Sequence, residues 1–260
     1  MEINIFFLFL LIAITSVIAW RFRLLSLSGA AAAMITGSCI AIGFGMEGLV
    51  LIGVFFLSSS ILSKVKRRKK RFLDDIHEKG STRDWAQVAA NGGVAALIGI
   101  LAVFYDSVIV TIAFAISLAA SNSDTWASEI GSLSKQRPYS VKTFTKVDVG
   151  TSGAISLLGT IAGFFGALLI AVTAMILFQL EVVALLFILL FGFFGMVVDT
   201  LIGAYFQAEY KCPHCGNTIE SPTHCGREVV LVKGINWLRN DFVNFISCIT
   251  AVLFGIILYK

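Results

Sequence analysis

Ser121-Asn122-Ser123-Asp124-Thr125-Trp126-Ala127-Ser128-Glu129-Ile130-Gly131 follows the apolar run Val108–Ala120. In a chain that is 57% hydrophobic, it packs an amide, two carboxylates and four hydroxyls into nine residues. Ionisable groups at the edge of a hydrocarbon layer are costly, so they point to function first. On helix geometry Ser121, Asp124 and Ser128 form one stripe, and Asn122, Thr125 and Glu129 form another about 100° further round. Asp124 and Glu129 would then point about 140° apart on a straight helix. They meet at one ion only if the helix breaks or a second element closes the site. The plain alternative is a solvated helix end.

Working outward, 260 residues with a mean hydropathy of +0.89, 22 Phe and 14% charged residues exclude an ordinary soluble domain. The expectation is an all-α, polytopic transmembrane helical bundle, one integral membrane domain over 1–260. About eight spans are read, some short or broken: Ile3–Trp20, Leu24–Phe44, Gly48–Ser63, Trp85–Phe104, Ser107–Ala120, Ser152–Phe178, Val182–Phe206 and Asp241–Tyr259. The first run lacks a basic start and a small-residue cleavage site, and reads as a retained helix. Gly29, Ala33 and Gly37, then Gly159 and Gly163, then Gly192, Gly195 and Gly203 are spaced for close helix packing.

With these spans, 19 of the 20 Lys and Arg fall on one face, leaving Lys260 opposite. The positive-inside rule makes that face cytoplasmic, with loops at 64–84, 131–150 and 207–240 and both termini on the other side. The run Lys66-Arg67-Arg68-Lys69-Lys70-Arg71 suits topology and anionic headgroups of the lipid bilayer. No aromatic platform is interleaved with it, so nucleic acid is not an expected partner. His77, in a charged loop, has no special reading.

The other polar clusters lie at the same predicted depth. Asn91-Gly92-Gly93 follows Arg83-Asp84-Trp85-Ala86-Gln87 at the start of the fourth span. Two glycines weaken a helix and suit a place where backbone meets ligand, or close packing. Arg137, Lys142 and Lys146 precede Gly150-Thr151-Ser152-Gly153, whose amides at a predicted helix start suit a phosphate. It is not a Walker loop. Asp199 lies deep in the seventh span and needs a cation, a metal or a proton. Asn240-Asp241 opens the eighth as ordinary capping, which leaves Asn244 unexplained. Asp124, Glu129, Asp199 and Asp241 offer oxygen-only ligands of the kind Mg²⁺ takes.

Cys39 and Cys248 stand alone in apolar runs and read as packing. Cys212-Pro213-His214-Cys215 is a zinc half-site, which His224 and Cys225 could complete as a structural Zn²⁺ centre. Two adjacent ligands are awkward for one tetrahedral ion, and unmetallated thiols are the alternative.

The stretch from Ser121 to Gly131 resembles the signature of the DUF92 (TMEM19-like) integral membrane proteins. Supporting matches are Ala90-Asn91-Gly92-Gly93, Gly150-Thr151-Ser152-Gly153 with Ser156, Gly159-Thr160 and Ala162-Gly163, and His224-Cys225-Gly226 with Trp237 and Asn240-Asp241-Phe242-Val243-Asn244. Plant chloroplast members of that family are phytyl-phosphate kinases, so the resemblance implies a nucleoside triphosphate donor and an isoprenoid lipid phosphate acceptor.

The combined expectation is an Mg²⁺-dependent prenyl-phosphate kinase using CTP or ATP. Asp124, Glu129 and Asp199 would hold the metal, and Arg137, Lys142 and Lys146 would clamp phosphates beside the amides of Gly150 to Gly153. Asn91, Asn122 and Asn244 would orient oxygens, with Asp241 in the same catalytic group. The competing readings are a transporter or flippase for a lipid phosphate or anion, with Asp199 as coupling group, and a scaffold.

Overall fold

The computed structural model describes residues 5–69 and 82–259. Its axis is a helix, α4 (Val108–Gly131), buried without interruption from Ile112 to Ser123. Small residues make this possible. Ala113, Ala115, Ala119 and Ala120 let neighbours approach on every side, while Ile112, Phe114, Ile116 and Leu118 fill the gaps between them. The helix does not stop at Ala120, as the hydropathy implied. The polar signature forms its last three turns, unbroken.

Around α4 stand α1 (Ile5–Arg21), α2 (Leu27–Lys69), α3 (Trp85–Ala102), α5 (Leu157–Phe178), α6 (Val182–Tyr205) and α7 (Asn240–Leu258). Six are long and apolar enough to cross a membrane, and α1 is a shorter apolar seventh. The chain is therefore a multi-pass helical bundle, and among the described residues six such helices and the shorter α1 stand where eight spans were expected. The second and third expected spans belong to one element. Only Gly45, at φ 59 and ψ −143, departs from helical geometry there, in a region that glycine tolerates and other residues do not. The two halves of α2 lie side by side along α3: a Cβ on Gly92 would meet Thr36 at 3.1 Å and Ile52 at 3.8 Å.

The expected small-residue seams are packing seams. On α5, Cβ atoms at Gly159 and Gly166 would stand 2.9 Å from the Ala127 carbonyl oxygen and 3.0 Å from that of Asn122. The two backbones touch, and polar groups of the signature cross the seam. Asn122 Nδ2 donates to the Gly166 carbonyl at 2.8 Å, and Ser123 Oγ donates to that of Gly163 at 2.9 Å.

Small sheets occupy the loops at the end of the bundle where α4 finishes. β1 (Tyr139–Ser140) pairs antiparallel with β2 (Ala154–Ile155) between α4 and α5. Between α6 and α7, β3 (Glu209–Lys211) lies between β4 (Thr218–Ile219) and β7 (Val230–Lys233), and β5 (Thr223–His224) pairs with β6 (Arg227–Glu228). The loop expected at 64–84 is largely helix up to Lys69. His77, Lys70 and Arg71 lie outside the described residues, and so does most of that loop.

Candidate functional site

The end of α4 closes one wall of a cavity of about 320 Å³, whose other walls come from α2, α3, α6, α7 and the two loops. Asp124, Glu129, Asp199 and Asp241 all line it. Asp124 and Glu129 reach one space without a break in α4 because neighbouring elements wrap the helix end from both sides.

On the Glu129 side, Ser63 of α2 donates its hydroxyl to Glu129 Oε1 at 2.7 Å. Arg83 stands beside it, and the charge of Glu129 acts on its guanidinium. The docking of Arg83 is a backbone matter. Arg83 N–H donates to the Leu24 carbonyl at 3.0 Å, and Ser26 N–H donates to the Arg83 carbonyl at 2.9 Å. Gly29 leaves room for that carbonyl, which a Cβ at residue 29 would strike. The guanidinium then lies 5.6 Å from the ring centroids of both Phe55 and Phe56, within cation–π range. Burial pulls its pKa down to about 10, against the opposing pull of Glu129, so it stays charged at neutral pH.

On the Asp124 side the next carboxylate is Asp199, which feels the charge of Asp124. Asp199 is buried, and α7 orients it. Ser247 Oγ donates to its Oδ2 at 3.1 Å. In the orientation that satisfies both neighbours, the Asn244 amide donates to Asp199 Oδ2 and to the Asn240 carbonyl, each at 3.0 Å. Asn244, unexplained by capping, thus holds a carboxylate. A fifth acid, Glu220, enters from the β4–β5 loop and accepts from Ser152 Oγ at 2.7 Å and Gln207 Nε2 at 2.9 Å.

Asn91 adds an amide to the wall. Its Nδ2 donates to the Gln87 carbonyl at 3.0 Å, while its Oδ1, shielded in the cavity wall, has no partner. A buried acceptor left unmade costs about 1–3 kcal/mol, which a bound donor would recover. Gly92 beside it is explained by packing on Thr36.

Several expected residues are placed elsewhere or act otherwise. Arg137 is exposed and pairs with Asp148 at 3.6 Å. Lys142 lies over the Tyr205 ring at 5.8 Å and Lys146 over Tyr139 at 5.9 Å. None of the three lines the cavity, because the loop carrying them folds back as the β1–β2 hairpin. Asn122 does not line it either. Its amide is consumed by Gly166, and its Oδ1 accepts from Ser58 Oγ at 3.2 Å. Gly150, Thr151, Ser152 and Gly153 do form cavity wall, but not as the opening of a helix. That opening is Ser156, whose Oγ caps Gly159 N–H at 3.1 Å. Gly153 is there because α6 passes over it, where a Cβ would overlap Ala204.

Arg83, Glu220, Ser63 and Gln207 were not among the expected site residues. Arg83 carried a signal, since it is the last cation before an apolar span. Glu220 carried none, because its place depends wholly on how the loop folds.

That loop brings together Cys212, Cys215, His224 and Cys225, whose ligand atoms all lie within 4.8 Å of one another. The Cys212 thiol is held down to about 6, chiefly by the backbone amide of Cys215 and then by His224. Three sulfurs and an imidazole nitrogen at such spacing fit a tetrahedral zinc donor set. The cavity's carboxylates offer oxygen donors only, and among the described residues the cysteine–histidine group is the one set of three or more that closes to metal-binding distance.

The family model described as "Integral membrane protein DUF92" matches residues 10–252. The chain belongs to the DUF92 family. This DUF92 protein is 30% identical over 259 residues to an uncharacterized membrane protein of Methanocaldococcus jannaschii, covering 99% of this chain and 95% of that one. It is 32% identical to Protein PGR of Arabidopsis thaliana, covering 91% of this chain and 90% of that one. It is 26% identical to the Arabidopsis protein named "Protein VTE6, chloroplastic", covering 91% of this chain and 66% of that protein. No solved structure matches the DUF92 chain.

Proposed function

We propose that the cavity is the active site of an Mg²⁺-dependent kinase. It transfers a phosphoryl group from a nucleoside triphosphate, CTP or ATP, to an isoprenoid monophosphate of the phytyl type. The observation that carries this reading is the charge balance of the walls. Among the described lining residues, the carboxylates Asp124, Glu129, Asp199, Glu220 and Asp241 face one guanidinium, Arg83. Such a cluster repels phosphate unless cations enter with it. Phosphoryl transfer rests on positioning and charge neutralisation and asks little covalent chemistry of the protein.

Asp124, Glu129 and Asp199 would hold Mg²⁺ singly or in pairs, with phosphate oxygens and water filling the rest of its shell, and Glu220 stands near Asp199. The ion would supply charge neutralisation on the transferring phosphoryl oxygens. Arg83, with its planar fork of donors, would bind phosphate oxygens. Asn91 Oδ1 would accept from a donor hydroxyl or a protonated phosphate oxygen. Ser247 and Asn244 keep Asp199 turned toward the cavity. A terminal oxygen of the acceptor phosphate forms the new bond to the γ-phosphorus as the bond to the bridging oxygen breaks. The nucleoside diphosphate leaves. A phosphate oxygen is already nucleophilic, so no protein nucleophile is needed.

The lipid tail has a route beside the cavity. Ile155, Leu157 and Leu158 expose apolar surface on either side of the cavity-lining Ser156. We place the cavity on the cytoplasmic face, since Arg21, Arg23, Lys135 and Arg239 flank the same ends of the helices. Family membership supports the reading through the kinase activity of plant chloroplast members.

The purified protein in detergent or nanodiscs, given phytyl or geranylgeranyl monophosphate, Mg²⁺ and CTP or ATP, should form the diphosphate. No product across several prenyl lengths and both donors, with protein-dependent movement of lipid phosphate in vesicles, would replace the kinase by a carrier.

A further inference from the structure

Two hairpins build the cysteine cluster, and each has the geometry of a metal knuckle. In the first, Cys212 N–H donates to the Asn217 carbonyl and Gly216 N–H to the Cys212 carbonyl, both at 2.9 Å, with Gly216 at φ 75. This tight turn points Cys212 and Cys215 the same way. The second is the β5–β6 hairpin. His224 and Cys225 are adjacent, which in an extended strand would send their side chains to opposite faces. Here Cys225 at φ 52 and Gly226 at φ 69 turn the chain at the tip. As a result His224 Nδ1 lies 3.2 Å from Cys225 Sγ and 3.4 Å from Cys215 Sγ. Around a tetrahedral zinc, with Zn–S near 2.3 Å and Zn–N near 2.0 Å, donors sit roughly 3.5–3.8 Å apart. All four atoms lie within 4.8 Å of one another, so shifts of about 1 Å or less bring them to those values.

Beyond its strand pairing and the Lys233–Glu209 ion pair at 2.7 Å, the loop has little to hold its shape. Its buried apolar cluster is Ala208, Tyr210 and Ile219, with Val229 packed against it. A core that small does not hold a segment of this length, and a metal is one of the few staples available. Cys225, a non-glycine residue at positive φ, adds a local cost of about 1–2 kcal/mol that a ligand bond would offset.

We propose that Cys212, Cys215, His224 and Cys225 bind one structural Zn²⁺, and that this ion presents Glu220 to the cavity. Glu220 lies between the two knuckles, next to the buried Ile219. Its hydrogen bonds to Ser152 and Gln207 join the metal-held loop to the segment before α5 and to the end of α6. The metal thus fixes one wall of a cavity otherwise built by membrane helices. This holds whether or not the cavity is a kinase site, because the readouts are metal content and backbone protection.

The full chain, purified with its thiols reduced from zinc-replete growth, should carry about one zinc per chain by elemental analysis. Cys212→Ser should lose it, and His224→Cys should retain it. With Co²⁺ in place of zinc, tetrahedral ligand-field bands and thiolate-to-cobalt charge transfer should appear, the latter stronger in His224→Cys. Hydrogen exchange on the wild-type chain needs no variant to fold. Stripping the metal with a graded chelator should deprotect 207–230 and leave Ile112–Ser123 unchanged. A chain without zinc, a Cys212→Ser variant with full zinc, or a disulfide among the three thiols would overturn the site. Unchanged protection of 207–230 after zinc release would overturn its role in placing Glu220.

Discussion

The two halves of the α4 signature use similar side chains for opposite ends. In Ser121–Ser123, every side chain is bonded to backbone of another helix: Ser121 to the Asn91 carbonyl, Asn122 to that of Gly166, and Ser123 to that of Gly163. These groups weld α4 to α3 and α5 and have little left to offer a ligand. One turn on, Asp124 and Glu129 face a shared space in which carboxylates crowd one another. Function therefore does not track polarity along this helix. It tracks polar groups whose charge the protein's own contacts do not discharge.

That contrast breaks first at Asp124. Asp124→Asn keeps shape and removes charge, so it should reduce diphosphate formation by about a hundredfold or more, comparable to deleting one electrostatic partner of a transition state. Its unfolding temperature should stay at or above wild type, since one repelling charge is gone. A drop in stability with activity per folded molecule intact would assign Asp124 to packing with its neighbours. Ser247→Ala tests the orienting layer behind Asp199. It should weaken Mg²⁺ activation by about 10–100-fold, as losses behind a metal ligand do, and excess Mg²⁺ should restore the rate. Failure of that rescue would mean Ser247 acts on the helix seam alone.

Asn122→Ala runs the contrast in reverse. It removes the α4–α5 hydrogen bond to the Gly166 carbonyl and leaves a void in a buried seam, at about 1–3 kcal/mol of stability, while activity per folded molecule stays near wild type. Thermal unfolding and turnover on the same preparation separate the two. A large loss of turnover at unchanged stability would return Asn122 to the oxygen-orienting role that its place in the motif implied.

Much of this was readable from spacing. Apolar runs placed the helices, because a bilayer accepts little else. Glycines spaced for packing on α5 and α6 foretold seams that exist. The eight apolar runs fall in seven helical elements among the described residues, because the second and third are joined in α2, which turns back on itself at Gly45. Asp124, Glu129, Asp199 and Asp241 were legible as costly residues at a common depth. Depth is additive along a chain, and it brought all four to the same cavity. Azimuth is not additive, and Asn122 shows it: which side of α4 meets α5 depends on Gly159, Gly163 and Gly166 of a helix 40 residues away. Glu220 was invisible for a related reason. Its position depends on two hairpins closing on each other, a long-range event with no local signature.

The smallest expected effect concerns the loop cations, the residues that composition alone would favour as a phosphate clamp. Arg137 pairs with Asp148 in full solvent, and such exposed pairs contribute about 0–1 kcal/mol. Lys142 and Lys146 rest on aromatic faces outside the cavity. Arg137→Ala and Lys142→Ala should each change turnover and nucleotide KM by less than about twofold and stability by less than about 0.5 kcal/mol. Arg83→Gln is the matched control. It keeps hydrogen-bonding capacity, removes the one described cation in the wall, and should raise nucleotide KM well beyond either loop variant. If the loop variants raised KM and Arg83→Gln did not, the β1–β2 hairpin would have to swing over the cavity during turnover, and the static walls would be only half of the binding site.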